Sequence, residues 1–478
     1  MMSQKANRLD STLAHLLARR RSRNQLRSLT TVPPNAVDFS SNSYLSLSAQ
    51  PAVQRAFLAR LDAAAATVSC NPQCSSLLGS GGSRLLDGNS PRAEQLEATI
   101  AAFHRAPAGL LFNSALDANV GLFGCVPQPG DAVVYDELIH ASVHDGMRLS
   151  RAAWRVPFRH SCVWEEEENK EEKEEEGAGA GGGGGRKSLE AVLDSLLQGQ
   201  EGALFQSGER NVFVAVEGVY SMDGDLAPLR EIVDCVERKL PLGNGYIIVD
   251  EAHSTGIFGD RGRGLVCELG LEQRVWARVL GFGKAMGCAG GIVLCSPTAR
   301  TYLINYARTL IYTTAMAFPS LASIETTYDF IMTGHAEPLL KHLRFLIHET
   351  HKLLLGLCAS HDPPAELLRV SAEKPKSPII PIFTSQPRSL ARHCQQRGYM
   401  VRPIVAPTVP KGSERIRVCL HAGNSVSEVQ GFVKAVEAWL VAWKAGTLGR
   451  ESSIQGEECT GGESLALAEG NEVARSKL

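Results

Sequence analysis

Tyr246-Ile-Ile-Val-Asp250-Glu-Ala-His253, followed by Val279-Leu-Gly-Phe-Gly-Lys284, sets two short β-branched runs directly before residues that can ionise. Apolar runs of this length, continuous rather than alternating, are strands covered on both faces. Outward from this pair the same texture recurs, giving predicted strands at Gly109–Ser114, Ala132–Asp136, Val212–Val219, Tyr246–Asp250, Val279–Gly283 and Gly291–Cys295. Helical stretches separate them. The alternation from Gly79 to about Ser296 predicts an α/β architecture, a doubly wound and mostly parallel sheet with helices on both faces. Ligands in such sheets lie beyond the carboxyl ends of the strands, which makes Asp250, His253 and Lys284 the first residues to inspect.

The texture changes after about Gly334. A helical pattern from Pro338 to Leu357, three short strands and a last helix with the stripe Val429, Val433, Val436 and Leu440 predict a smaller α+β domain. The expected organisation is an N-terminal helix and small-domain segment at 1–60, a large domain at 61–333, the small domain at 334–445 and a tail at 446–478. The Glu/Lys and polyglycine stretch at 165–187 reads as a disordered insertion, because it offers no apolar surface to bury. At the N-terminus, Lys5, Arg8, Arg19, Arg20, Arg21, Arg23 and Arg27 stand against the single acid Asp10, a composition that also suits a mitochondrial presequence. The reading adopted is an amphipathic helix of the fold, with Leu9, Leu13, Leu16 and Leu17 on one face.

A formal net charge of −2 with mixed signs speaks against a nucleic-acid partner. No apolar run reaches the ~18 residues that span a bilayer, so no membrane partner is expected. The twelve cysteines show no metal-ligand spacing, and neither a metal nor disulfides are expected. The final Ser476, Lys477 and Leu478 match the tripeptide read by the peroxisomal import receptor, so a peroxisomal location is expected, with mitochondrion and cytosol as alternatives.

Asp250 and Lys284 have the types and positions that pyridoxal 5'-phosphate demands. The cofactor needs a lysine able to form a Schiff base, and an acid that keeps its ring nitrogen protonated so that the ring accepts electrons. Charge pairing with a carboxylate raises the pKa of that nitrogen.

Around this pair the chain resembles the α-oxoamine synthase family of pyridoxal-phosphate enzymes. The resemblance is carried in order by Asp38-Phe-Ser-Ser-Asn-Ser-Tyr-Leu45, Gly79-Ser-Gly-Gly-Ser-Arg84 and Glu217-Gly-Val-Tyr-Ser-Met-Asp-Gly-Asp225. It continues through Asp250-Glu-Ala-His-Ser-Thr-Gly256, Arg261-Gly-Arg-Gly264, Gly281-Phe-Gly-Lys284, Tyr312-Thr-Thr314 and Arg415-Ile-Arg-Val418. It covers about Asp38 to Trp443 and implies an aspartate-aminotransferase-like fold of type I and a homodimer. It also implies roles: His140 stacks on the cofactor ring, Ser221 and His253 bond to its phenolic oxygen, and Arg417 holds the substrate carboxylate. Asn42 and an N-terminal arginine, Arg27, would help hold the second substrate, while Thr313 or Thr314 would reach the phosphate from the other protomer.

Two departures from the family pattern stand out. Ala115 and Leu116 replace a Gly and an aromatic residue in the cofactor pocket wall, and Gly281 replaces a threonine. The second loses a hydroxyl donor to the phosphate, so weaker cofactor affinity is expected. The implied reaction is a decarboxylative condensation of an amino acid with an acyl-CoA. The peroxisomal signature favours L-alanine with pimeloyl-CoA over glycine with a shorter acyl-CoA. A non-catalytic partner subunit would lack the lysine that this chain has at position 284.

Overall fold

The computed structural model describes residues 8–447 except 24, 71–76, 166–186 and 407. The Glu/Gly insertion, apart from its end residues, and nearly all of the tail with Ser476-Lys477-Leu478 lie outside the described residues.

Seven strands form the main sheet: β2 (Ala108–Phe112), β3 (Ala132–Asp136), β4 (Trp154–Phe158), β5 (Val212–Glu217), β6 (Gly245–Asp250), β7 (Ala277–Gly281) and β8 (Gly291–Cys295). They lie in the order β2-β8-β7-β6-β5-β3-β4. Every pairing is parallel except those of β8, which runs antiparallel to both neighbours. Successive residues of one strand point to opposite faces. Val214, Val216, Ile247, Val249 and Leu280 therefore enter one buried cluster, and Phe213, Ala215, Ile248 and Val279 the other. Helices Pro91–Phe103, Leu189–Gln198 and Leu229–Lys239 cover the first face through Leu96, Ile100, Leu193 and Val233. Helices Ala115–Cys125, Ala141–Leu149 and Pro297–Tyr306 cover the second through Leu122, Phe123, Met147 and Leu303. Several start on a serine whose hydroxyl accepts a first-turn N–H, as at Ser90, Ser114, Ser188 and Ser296.

The edge strand β4 escaped the sequence reading. Trp154-Arg-Val-Pro-Phe158 is half exposed and contains a proline, which a central strand would not tolerate but an edge accepts.

A second, antiparallel sheet in the order β11 (Arg402–Ile404), β12 (Arg415–Cys419), β9 (Ile379–Phe383) packs with helices Glu337–His361, Pro387–Gln396 and Val426–Lys444. The segment around Phe39 is stitched to it: β1 (Val37–Asp38) pairs with β10 (Tyr399–Met400), and Cys419 N–H donates to Phe39 C=O. This brings residues 38–45 alongside β12. Helix Arg8–Ser22 forms as expected, but none of its residues is buried, and Leu9, Leu13, Leu16 and Leu17 are all roughly half exposed or more. The leucine stripe therefore does not join the core of the described chain. No helix among the described residues is long and apolar enough to cross a membrane.

Candidate active site

Parallel register brings the carboxyl ends of β3, β5, β6 and β7 to one edge, with Glu217 directly opposite Asp250. Because β8 is antiparallel to both β2 and β7, β2 also ends at that edge, and so does the start of helix Ala115–Cys125. Each functional loop thus begins where a buried strand stops.

Asp250 is buried and fixed by two donors: Asn119 Nδ2 at 2.7 Å and the Ala252 N–H at 2.9 Å. Asn119 Nδ2 also donates to Ser142 Oγ at 3.0 Å, and Ser142 Oγ lies 2.7 Å from His140 Nδ1. His140 caps helix Ala141–Leu149, so one chain of contacts links the carboxylate to the imidazole. Burial holds the His140 imidazole below its ordinary pKa. Lys284 lies in the turn between β7 and β8. Burial pushes its amine pKa down, against the opposing pull of Asp250 and Glu217. Burial, reinforced by the neighbouring Asp250, drives the Glu217 carboxyl well above the usual carboxylate range.

On the other side of the cleft, Arg417 Nη2 donates to Asn42 Oδ1 at 2.8 Å and approaches the Tyr44 hydroxyl at 3.4 Å. The same hydroxyl lies 2.8 Å from His253 Nδ1. Arg417 is buried and its Nε finds no partner among the described residues, an orphan donor of the kind a bound anion satisfies. Arg27 stands apart: it is exposed and is not among the side chains bonded to Asn42 or Arg417.

Ser221 sits in the turn after β5, and that turn is pinned at two places. Asp223 pairs with Arg415, while Asp225 lies 2.8 Å from His160 Nε2. The other ring nitrogen of His160 is 2.9 Å from Asp136, and its ring meets Tyr220 edge-on at 4.4 Å. Burial works against charge on this imidazole, but its hydrogen bonds to Asp136 and Asp225 prevail and carry its pKa up to about 10. A folded-state pKa raised above the unfolded value of ~6.5 gives stability that is complete below that pH and is lost as pH rises through about 10. His160→Gln should therefore melt below the wild type at pH 7, by an amount equivalent to roughly 2–4 kcal/mol, and the gap should narrow steadily towards pH 10. Thermal midpoints taken across that range test this, and a gap independent of pH would contradict it.

At the third corner, helix Ala115–Cys125 begins at this edge; Ser114 Oγ takes the Asp117 amide, and the preceding amides of Ala115 and Leu116 are the kind of helix N-terminal donors that suit a phosphate. Backbone donors do not depend on side-chain type, so Ala115 and Leu116 alter the wall of this cradle and leave its amides. The helix approaches β8 so closely that a Cβ on Gly291 would lie 2.7 Å from the Ala115 nitrogen. A Cβ on Gly281 would lie 3.0 Å from that of Ala252 and 3.2 Å from that of Ala115. The two departures from the family pattern are thus in contact: the methyl group of Ala115 crowds the space that a side chain at 281 would need. Thr313 and Thr314 lie near this corner of their own chain, where Asn113 Nδ2 donates to Thr313 Oγ1 at 3.3 Å and to Thr314 C=O at 2.9 Å.

The donor set fits pyridoxal phosphate. It comprises an amine with a depressed pKa, a buried carboxylate, an imidazole linked to that carboxylate and a helix N-terminus for the phosphate. Sequence reading had assigned no part to Glu217, Tyr44, Asn119 or His160. Glu217 and Tyr44 stand within quoted motifs, whereas nothing in Phe158-Arg-His160 marks the histidine before Asp136 and Asp225 are seen around it.

Comparison with known proteins agrees with this chemistry. The model of the family described as aminotransferase class I and II matches residues 34–436. An 8-amino-7-oxononanoate synthase of Emericella nidulans is 49% identical over 90% of this chain and 96% of its own. The aminoacyl transferase sphA of Aspergillus fumigatus is 38% identical over 84% and 80% respectively. Among solved structures, the serine palmitoyltransferase of Sphingomonas wittichii shares the fold, with a TM-score of 0.71 at 23% identity, over 93% of this chain and all of its own. From the match across its length and the close relatives that share it, the chain belongs to the aminotransferase class I and II family, within the pyridoxal-phosphate-dependent α-oxoamine synthases, which are acyltransferases.

Proposed function

We propose that this chain is an 8-amino-7-oxononanoate synthase, joining L-alanine to pimeloyl-CoA with release of CoA and CO2 in biotin biosynthesis. The observation that carries this reading is the 49% identity to a synthase of that name, spanning nearly the whole of both chains. The aminoacyl transferase relative is both more distant and less fully covered.

Pyridoxal phosphate, when bound, supplies an electron sink for a carbanion beside the substrate nitrogen. Lys284 would hold the cofactor through its amine. Once the substrate amine has taken its place, the same Nζ, its pKa depressed by burial, takes the proton from the substrate Cα. Asp250, held by Asn119 and the Ala252 amide, would pair with the protonated ring nitrogen of the cofactor. His140 would stack on the ring, Ser221 and His253 would bond to its phenolic oxygen, and the amides of Ala115 and Leu116 would be available to the phosphate. Arg417, oriented by Asn42, binds the amino-acid carboxylate through its planar fork. In a homodimer, Thr313 or Thr314 of the opposite protomer completes the phosphate site.

Arg417→Ala should raise the KM for the amino acid by ~10–100-fold, the loss of a charge-assisted hydrogen bond. The KM for the acyl-CoA should stay within a few-fold, and steady-state kinetics with each substrate varied in turn would show the split. The reading as a whole is tested by CoA release from a panel of amino acids and acyl-CoAs with pyridoxal phosphate present. L-alanine with pimeloyl-CoA should give the highest kcat/KM, and preference for glycine with acetyl-CoA would overturn the assignment.

The terminal Ser476-Lys477-Leu478 supports import into peroxisomes. Removing those residues should leave kcat/KM unchanged and move a fluorescent fusion to the cytosol. Peroxisomal import that persists without them would refute the signal.

A further inference from the structure

Tyr44 lies at the junction of two parts of the site and has so far been given no role. Its side chain is fully buried, and its hydroxyl is 2.8 Å from His253 Nδ1, 3.2 Å from Asn42 Oδ1 and 3.4 Å from Arg417 Nη2. A phenol has one proton to give and lone pairs to receive. Arg417 can only donate, so towards it the Tyr44 oxygen accepts. Asn42 Oδ1 already receives Arg417 Nη2 at 2.8 Å. His253 Nδ1 is thus the nearer acceptor for the tyrosine proton and the one with no other partner among the described residues.

Both groups are neutral in this setting. Burial, with Lys284, Arg417 and His140 around it, pushes the His253 imidazole well below its ordinary pKa, and burial pushes the Tyr44 phenol well above its own. A neutral imidazole carries one proton, and the hydrogen bond at one nitrogen decides which nitrogen holds it.

We propose that Tyr44 is a positioning residue for His253: its hydroxyl donates to Nδ1, fixes the imidazole proton on Nε2 and so turns His253 into an N–H donor facing the cofactor. The inference rests on the reading of this cleft as the cofactor site and adds what sets the donor. It also explains why the residue is a tyrosine rather than a phenylalanine. A phenylalanine would fill the same buried space but leave Nδ1 free to hold the proton, and Nε2 would then present a lone pair instead of a hydrogen.

The test is Tyr44→Phe in the cofactor-loaded protein, with Asn42→Ala as the companion that removes the other partner of Arg417. A donor at the phenolic oxygen favours its charged form, so losing the donor should raise the pH midpoint of the cofactor's visible absorbance by ~0.5 unit or more. It should also lower kcat by about 3–10-fold, with the KM for the amino acid within about two-fold of wild type. Asn42→Ala should do the reverse, raising that KM and leaving the midpoint in place. Long-range 1H–15N spectra of histidine-labelled protein should show His253 as the Nε2–H form in the wild type and a mixture in Tyr44→Phe. An unmoved midpoint with a raised KM would place Tyr44 in service of Arg417 and overturn the inference, as would an Nδ1–H form in the wild type. A wild-type protein with no visible cofactor band would overturn the cofactor reading and this inference together, whereas a band that Tyr44→Phe leaves unchanged overturns this inference alone.

Discussion

Lys284→Ala should lose turnover by at least ~10³-fold, because a single amine both holds the cofactor and takes the Cα proton, and a positioned base alone contributes ~10²–10⁴. The fold should survive the change. Lys284 sits in the turn between β7 and β8, and the buried residues on either side of it, Phe282, Ala285 and Met286, keep their packing. The variant should therefore melt within a few degrees of the wild type and still bind pyridoxal phosphate at the helix N-terminus, but without the covalent link and its visible band. Activity within ten-fold of wild type, or an unchanged band, would remove Lys284 from the centre of the site.

Asp250→Asn should have the next largest effect. The carboxylate accepts from Asn119 Nδ2 and from the Ala252 N–H, one on each oxygen. An amide can satisfy only one of these donors and turns a second donor against the other, at a cost of about 1–3 kcal/mol for the group left unpaired. It also removes the charge that holds the ring nitrogen protonated. Loss of one such preorganised electrostatic partner reduces kcat by roughly 10²–10³-fold. Steady-state kinetics at saturating cofactor read this directly, and a loss smaller than ten-fold would show that the charge at Asp250 is not what drives the chemistry.

The main sheet was legible because its strands are buried on both faces, which writes them as unbroken β-branched runs. Ala132–Asp136 and Gly291–Cys295 match the observed strands residue for residue, and the others shift by only one or two residues at their ends. The edge strand Trp154–Phe158 was not legible, since half exposure removes the apolar signal and Pro157 argues against it. Nor does a strand's sequence carry its direction, so the antiparallel run of β8 became visible only from pairing. The site divides in the same way. Asp250 and Lys284 could be read from strand ends, while Asn42, Arg417 and Tyr44 converge only because residues 37–47 are sewn onto β12 from hundreds of positions away. His160 was hidden for a related reason: its pKa is raised by Asp136, at the end of β3, and by Asp225, in the turn after β5. Gly281, whose lost hydroxyl was expected to weaken cofactor affinity, lies where an added Cβ would meet those of Ala252 and Ala115.

The most direct test of the account asks which residue carries the cofactor. The purified protein, loaded with pyridoxal phosphate, is reduced with borohydride, digested and mapped by mass spectrometry. The account predicts that the phosphopyridoxyl group is found on the peptide containing Lys284, and that its visible band disappears on reduction. The group on any other lysine, or no modified peptide from protein that releases CoA, would contradict it.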